Sequence, residues 1–359
     1  MDLKSAPRFF LGANSKTGFT SLYDGFTDAA RGDFLWVIKG CPGCGKSSFM
    51  RRVGAAAEQA GLRVEYILCS GDPDSLDGVY IPERRVAYVD GTAPHVIEPV
   101  FPGADSLYLD LGAFLDAGAL RAHLSEIAAL NRRYKALYAA AYAQLAAGAA
   151  LLPKNQPGVR TASALAALDR RIVGIAAREL RPLKKPGTTV RRFLSARSCQ
   201  GRVMLSETVC ALCPRVWLLD NTLGLGHIAL ARLFALAEAA GYDAILCPDP
   251  LEPEKPEALL LPERGLAFLA VDDVSLPLPE AERHLRLDAL ALRSLPSEQR
   301  PPLRRRRRES RTLLQSAADT LAQAKALHDA LEAVYHPHVD FGGVDALAEA
   351  HIRRLLASE

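Results

Sequence analysis

One short segment of the chain combines glycine, lysine and serine in a pattern that is typical of phosphate binding. Residues 40–47, the glycine loop, match G-x-x-x-x-G-K-[ST] at every fixed position. Glycines let backbone N–H groups turn toward phosphate oxygens, and the N-terminus of a following helix adds positive potential. In this pattern Lys46 would contact the β- and γ-phosphates, and the Ser47 hydroxyl would bind Mg²⁺. The pattern predicts an ATP and Mg²⁺ site formed by Gly40, Cys41, Pro42, Gly43, Cys44, Gly45, Lys46, Ser47 and Ser48.

The residues on both sides of the glycine loop have the composition of a strand and a helix. Residues 34–39 form a short apolar run that is typical of a buried strand, and residues 47–60 are predicted to form a helix ending before Gly61. Phosphate binding requires a strand, a glycine loop and a helix in this order. The alternative is a glycine turn that precedes a helix by chance, and the flanking residues argue against it.

Asp90 is the second candidate catalytic residue, beside Lys46. It ends an apolar run at residues 85–90, where a carboxylate can hold Mg²⁺ through a water molecule. The alternative is a turn aspartate before Gly91. No glutamate follows Asp90, so this segment does not supply the usual base for hydrolysis.

Two polar segments follow predicted strands, at the sheet edge that carries ligands in open α/β folds. Residues 90–95 end in His95, and residues 69–78 contain three carboxylates. These side chains could position water or a second substrate, or they could form solvated loops. The candidates for this role are Asp72, Asp74, Asp77 and His95.

Two C-x-x-C pairs occur, Cys41 with Cys44 and Cys210 with Cys213. Two such pairs can bind zinc, but the first pair would then have to abandon phosphate binding. We therefore interpret Cys41 and Cys44 as small residues that are tolerated at variable positions of the loop. The alternative is that the two cysteines form a redox switch.

The chain repeats itself at an offset near 180 residues. Residues 217–227 align with residues 36–46, so that Trp217 lies on Trp36 and two glycines coincide. Residues 261–264 repeat the Pro-Glu-Arg segment of residues 81–84. Several matches in the same order indicate an internal duplication.

The second copy lacks the residues that would bind a nucleotide. His227 replaces the lysine, Ile228 replaces the serine, Asn221 replaces the first glycine, and Asp220 adds a carboxylate near any phosphate. We expect one nucleotide in the first half and a second half that acts as a scaffold or regulator.

The composition is that of a soluble, cytoplasmic protein with two domains. The chain has 359 residues, 49% of them hydrophobic, and a net charge of +3, which is too small to indicate a membrane or nucleic-acid partner. No segment resembles a signal peptide or a membrane span, and an odd number of cysteines does not fit a disulfide framework. Nucleic acid could still bind at five consecutive arginines, Arg304 through Arg308, although a solvated helix start explains them better.

The order of apolar runs predicts an α/β protein with two tandem, doubly wound parallel-sheet domains and added helical segments. The first domain is expected at residues 1–183, with helices at 120–149 and 162–180 forming a helical pair on it. The second domain is expected at residues 188–359, with long C-terminal helices.

These motifs resemble those of a family of bacterial two-copy P-loop proteins, mostly uncharacterised ATPases. The matching segments are residues 17–19, 40–47, 69–78, 90–95 and 335–341. The lead-in at residues 17–24 also resembles RecA/KaiC-like ATPases. The resemblance implies ATP binding but no particular substrate. In this family the second copy usually keeps its phosphate loop, and this chain departs from the family there.

Three function classes follow. The first is an ATPase whose hydrolysis drives a conformational change between the halves. The second is a small-molecule or nucleotide kinase, and the third is a nucleotide-gated binding module with little turnover. In each class the second substrate or protein partner is unknown. The absence of an N-K-x-D guanine motif disfavours a GTPase.

Overall fold

The computed structural model describes residues 6–94, 96–156, 158–273 and 276–357. The strands of the first half are β1 (Arg8–Phe10), β2 (Gly12–Ser15), β3 (Gly18–Ser21), β4 (Phe34–Lys39), β5 (Glu65–Leu68), β6 (Leu76–Ile81), β7 (Val86–Asp90) and β8 (Ser106–Asp110). Six of them form a sheet in the order β1-β5-β6-β7-β4-β8, while β2 and β3 pair as a separate hairpin.

The second half repeats this arrangement. Its strands are β9 (Thr189–Arg191), β10 (Ser195–Ser198), β11 (Gly201–Met204), β12 (Arg215–Asp220), β13 (Ala244–Pro248), β14 (Pro256–Leu261), β15 (Leu266–Val271) and β16 (Arg283–Leu285). They form a six-stranded sheet in the order β9-β13-β14-β15-β12-β16 and a hairpin of β10 with β11. Strand for strand this is the order of the first sheet, as expected from the sequence repeat.

The helices lie at the ends of the sheets and across their outer faces. They are α1 (Lys46–Gln59), α2 (Ala117–Leu120), α3 (Leu124–Leu151), α4 (Ala162–Glu179), α5 (Ser206–Leu212), α6 (Leu225–Ala239), α7 (Asp288–Ser294), α8 (Arg300–Tyr335) and α9 (Phe341–Ala357). Within the described residues, no helix is both long enough and apolar enough to span a bilayer.

The sheets are mixed, so the expectation of parallel sheets was wrong. β4 is parallel to β7 and β8, but β6 is antiparallel to both of its neighbours, β5 and β7. The connections of β6 explain this, because residues 69–75 and 82–85 are too short for the crossover that parallel strands need. Residues 76–78, the last part of the polar segment 69–78, therefore belong to a strand and not to a loop.

The sheets are also not doubly wound, because helices cover only one face of each. Along β4, Ile38 packs with the helical layer of the first half, whereas Val37 packs in a core shared by both sheets. Leu218 of β12 and Leu269 of β15 contribute to the same shared core from the second sheet. The result is four layers, with the two sheets face to face in the middle and helices outside.

The outer helices are exchanged between the halves. Buried side chains of α4, such as Ile172, pack with Trp217 in the helical core of the second sheet. Val344 and Ala348 of α9 pack with α1 in the helical core of the first sheet. The expected packing of residues 162–180 on the first half is therefore not observed.

The long helices α3 and α8 cross between the halves as an antiparallel pair. Ser310 Oγ donates to the Gly148 carbonyl, and Thr320 Oγ1 donates to Gln144 Oε1, so the residue numbers run in opposite directions along the contact. Each helix thereby carries the chain from its own sheet to the outer face of the other.

The halves are related by an approximate two-fold axis. Phe10 and Phe193 occupy equivalent places in the repeat, and each donates its N–H to the carbonyl of the other, at 2.9 and 2.8 Å. In an interface with two-fold symmetry, a residue at the axis forms hydrogen bonds to its own counterpart.

Candidate functional site

The glycine loop joins the end of β4 to the start of α1. Gly43 and Gly45 have φ angles of +71° and +92°, which residues with a Cβ rarely adopt. The tight turn that results brings the backbone back over itself, and Lys46 becomes the first residue of α1. Of the two fixed glycines of the sequence pattern, Gly45 is required by its positive φ, and Gly40 by the closeness of Cys44 Sγ, which would lie 2.5 Å from a Cβ there.

The Lys46 side chain folds back across this turn. Its Nζ donates to the Cys41 carbonyl at 2.8 Å and lies 3.6 Å from Asp90 Oδ2. Burial alone would lower the pKa of Lys46, but the Asp90 carboxylate, together with Cys44 and Cys41, offsets the effect of burial and leaves that pKa raised. The ammonium group is thus held in its charged form inside the loop.

Asp90 ends β7 beside the glycine loop, because β7 pairs with β4 in parallel and Asp90 lies opposite Ile38. Its Oδ1 accepts hydrogen bonds from Thr92 N at 2.8 Å and from Thr92 Oγ1 at 2.6 Å. Its Oδ2 faces Lys46. One oxygen therefore closes a turn, and the other faces the loop.

Ser47 is fixed by the strand that the sequence analysis missed. Its Oγ accepts a hydrogen bond from Leu76 N, the first residue of β6, at 2.9 Å. The neighbouring Ser48 is exposed. The hydroxyl expected to serve Mg²⁺ is thus positioned by the backbone of another strand.

Each of the acidic candidates in the described residues has a different partner. Asp77 is buried in β6 and accepts from Tyr23 Oη at 3.0 Å, while Asp72 pairs with Lys325 at 3.3 Å. Asp74 accepts from Gln200 Nε2 at 2.8 Å. His95, the fourth candidate, lies outside the described residues. Each of these three carboxylates has a contact within the fold.

Lys39 was not singled out from the sequence. Its Nζ donates to the carbonyls of Gly91 and Ile97 and to Glu98 Oε1, each at 2.8 Å. These bonds hold the segment that follows Asp90. A lysine at the end of an otherwise apolar strand was the signal that could have identified it.

The corner between α8 and α9 covers the glycine loop. A Cβ on Gly43 would lie 3.1 Å from Glu332 Cβ, and one on Gly45 would lie 3.6 Å from Val344 Cγ1. Segments of the second half therefore complete the surroundings of a site encoded in the first half. This closeness is the second reason for glycine at position 43.

We expect Gly43→Ala to destabilise the fold more than Gly61→Ala. Both glycines have positive φ angles, +71° and +78°, so each substitution costs roughly 1–2 kcal/mol of backbone strain. Only the Cβ at position 43 meets a neighbour, since nothing lies within 4 Å of one at position 61. Urea unfolding of both variants would measure the difference, and equal losses would contradict the close contact with α8.

One potential group of metal ligands lies at this corner. Among the described residues, His328, Asp329 and Glu332 form the only cluster of three or more such groups, with ligand atoms within 4.8 Å of one another. The cysteines of the two C-x-x-C pairs are not part of this cluster.

Cys41 and Cys44 are both buried. A hydrogen bond from the Cys41 thiol lowers the pKa of Cys44 against the effect of burial, and Lys46 lowers it further. A thiol with a lowered pKa is the more reactive one, and the redox switch stays a prediction.

In the second half, a lysine from a distant segment lies against the degenerate loop. A Cβ on Gly224, the counterpart of Gly43, would be 3.1 Å from Lys154 Cβ. Lys154 Nζ is buried among Asp249 at 2.9 Å, Asp272 at 3.3 Å and Glu252 at 3.4 Å. A lysine is therefore present, but three carboxylates already neutralise it.

His227, which the sequence repeat aligns with the loop lysine, is the third residue of α6 and is also buried, because the loop of the second half is two residues shorter. Its N–H donates to Asn221 Oδ1 at 3.1 Å, and its Nε2 lies 3.5 Å from Arg160 Nη1. Burial and the nearby charges of Lys154 and Arg160 lower the pKa of His227 to about 4. The imidazole is neutral at pH 7 and fills the loop as a structural group.

This lowered pKa predicts an acid-sensitive fold. The folded chain binds fewer protons than the unfolded chain between pH 6.5 and about 4, so stability present above pH 6.5 is lost as the pH falls through this window. The loss attributable to His227 is about 2–3 kcal/mol between pH 7 and 4.5. We expect His227→Gln to remove that part of the pH dependence, and unfolding titrations at both pH values would measure it. The exposed His336→Gln is the control, and an unchanged pH slope in His227→Gln would refute the prediction.

Comparisons of this chain with protein-family models, with curated proteins and with solved structures find no match.

Proposed function

We propose that the first half binds Mg–ATP at the glycine loop and hydrolyses it, with the second half as a scaffold or regulator in a cytoplasmic protein. The observation that carries the proposal is the placement of Lys46 and Asp90, 3.6 Å apart, at the point where β4 turns into α1. A charged lysine, a strand-end carboxylate and a loop with positive φ angles are the parts that phosphate binding needs.

Lys46 would exchange its partners on nucleotide binding. Without phosphate its ammonium group is occupied by the Cys41 carbonyl and the Asp90 carboxylate. Phosphate oxygens carry more charge than a carbonyl and form stronger bonds to an ammonium group. The ammonium group of Lys46 is therefore already charged before a nucleotide binds. A short movement of this side chain would bring it into contact with a terminal phosphate.

Ser47 and Asp90 are the residues that would hold Mg²⁺. A hydroxyl and a carboxylate are the hard oxygen ligands that this ion prefers, and both side chains are fixed by hydrogen bonds from Leu76 and Thr92. When bound, Mg²⁺ would neutralise charge on the phosphates. The chain's own contribution is to orient these oxygens beside Lys46.

The exchanged helices give a route from the nucleotide to the second half. The glycine loop is in close contact with Glu332 of α8 and with Val344 of α9. A triphosphate that enters the loop would change the space available to this corner. Because α8 also packs along α3, movement of the corner would be transmitted to the interface between the halves.

The nucleotide-gated binding module remains the second candidate. Two observations favour it, namely that no glutamate follows Asp90 and that the corner of α8 and α9 covers the loop. The kinase alternative loses support, because Asp72, Asp74 and Asp77 are each in contact with another residue of the fold.

Calorimetric titration with Mg–ATP, followed by measurement of ADP and phosphate, tests the proposal. We expect one Mg²⁺-dependent equivalent per chain and release of ADP and phosphate in equal amounts without an added acceptor. Binding without turnover would favour the gated module over hydrolysis. If no Mg–ATP binds, the proposed function is wrong.

A further inference from the structure

A cavity of about 840 Å³ lies in the second half, away from the glycine loop. Its walls come from the α3–α8 pair, from the hairpin of β10 and β11, and from Thr222 in the degenerate loop. This volume is within the range that holds small-molecule ligands. The cavity is therefore large enough for a substrate or regulator.

Cations outnumber carboxylates on the walls of this cavity. The carboxylates are Asp272, Asp273 and Asp319. The cations are Lys154, Arg197, Arg202, Arg307 and Arg311. Arg307 belongs to the run of five arginines and donates to the Asp272 carbonyl at 2.8 Å, so it faces the cavity. The other four arginines of the run are exposed, as expected of a solvated helix start.

Arg197 and Arg202 lie directly opposite each other in the β10–β11 hairpin. Like charges in this position destabilise a pair of strands. Arg202 is compensated by Asp272 at 2.7 Å and by Glu257 at 2.6 Å. Within the described part of the chain, Arg197 has no ion pair, and the enclosed Nε atoms of both arginines have no hydrogen-bond acceptor.

The first half places neutral residues at the same positions. In the hairpin of β2 and β3, Asn14 lies opposite Phe19, and these two residues correspond to Arg197 and Arg202. The arginine pair therefore belongs to the second copy alone. Burial and the charge of Arg202 lower the pKa of Arg197 to about 10, so the unpaired cation is under electrostatic strain.

We propose that this cavity binds a phosphate-bearing small molecule, with Arg197 and Arg202 contacting the phosphate. Arginine forms paired, charge-assisted hydrogen bonds to phosphate, and such a ligand would supply the counter-charge that Arg197 lacks and relieve the repulsion. The site uses neither Mg²⁺ nor the glycine loop, so it stands independently of the proposed ATP site. It gives the second half a ligand of its own.

The first probe is pyrophosphate without Mg²⁺, and it is titrated into the Lys46→Ala protein. This substitution weakens binding at the glycine loop. We expect pyrophosphate to bind this protein and to raise its melting temperature. Arg197→Gln should weaken binding at least tenfold, measured by calorimetry. Its melting temperature without ligand should be equal or higher, because the repulsion is removed. Arg197→Lys, which keeps the charge, should bind with intermediate affinity, and the exposed Arg171→Gln on α4 is the matched control.

Two outcomes would overturn the proposal. One is the absence of pyrophosphate binding in the Lys46→Ala protein, and the other is equal binding by Arg197→Gln and Arg171→Gln. If Arg197→Gln does not fold, Arg307→Gln on the opposite wall provides the same comparison. Inorganic phosphate and AMP as further probes distinguish a ligand recognised by its phosphate alone from one recognised also by its nucleoside.

Discussion

Lys46→Ala is expected to lower the affinity for Mg–ATP roughly a hundredfold. Hydrogen bonds to charged groups contribute about 1.5–3 kcal/mol each, and 1.4 kcal/mol corresponds to a factor of ten. The loop carbonyl of Cys41 and the Asp90 carboxylate would remain, with no cation between them and the phosphates. The remaining carboxylate would then repel the nucleotide, which adds to the loss.

Calorimetry with Lys184→Ala as the matched control measures this effect. Lys184 is an exposed lysine in the segment that links the halves, so its removal changes the net charge equally without touching the loop. Circular dichroism would establish that both variants are folded. If Lys46→Ala binds Mg–ATP as tightly as Lys184→Ala does, the glycine loop is not the nucleotide site.

Asp90→Asn is expected to reduce the Mg²⁺-dependent release of phosphate by roughly two to three orders of magnitude, on the order of the effect of removing one preorganised polar group that stabilises a transition state. The amide keeps the size of the side chain and can still accept from Thr92, so the turn should survive. It carries no negative charge and is a poor ligand for a hard cation. ATP binding should fall less than turnover.

The neighbouring strand provides a matched control for this substitution. Asp110 ends β8, which pairs with β4 on the side opposite to β7, and its Oδ1 also accepts a backbone hydrogen bond, from Gly112 N at 2.7 Å. Asp110→Asn therefore removes an equivalent strand-end charge that does not face Lys46. If Asp90→Asn and Asp110→Asn release phosphate at equal rates and both keep their Mg²⁺ dependence, Asp90 is only a turn residue.

The sequence was sufficient for the local geometry of the site. The apolar run at residues 34–39 is β4, and the helix begins at Lys46, one residue before the predicted start. Asp90 is the last residue of β7, as its position after an apolar run predicted. These features depend on patterns within a few residues, which a single sequence contains.

The features that were missed depend on which segments meet. β6 contains Asp77 and Gly78, residues that are uncommon in strands, and only its two partner strands and the contact of Asp77 with Tyr23 make it favourable. Lys154 lies next to the degenerate loop because α3 carries the chain to the other half. The helix at residues 162–180 was predicted, but its sequence could not specify the sheet that its buried face packs against.

The exchange of α4 and α9 has a consequence for how the protein emerges from the ribosome. Domains generally fold during synthesis as soon as their residues are available, the N-terminal one first. Here α1 and its sheet must wait for Val344, Ala348 and Leu355, which are made only after the whole second sheet has been translated. The glycine loop thus acquires its complete surroundings late, so a nascent chain carrying only the first sheet has an open apolar face and an unfinished site.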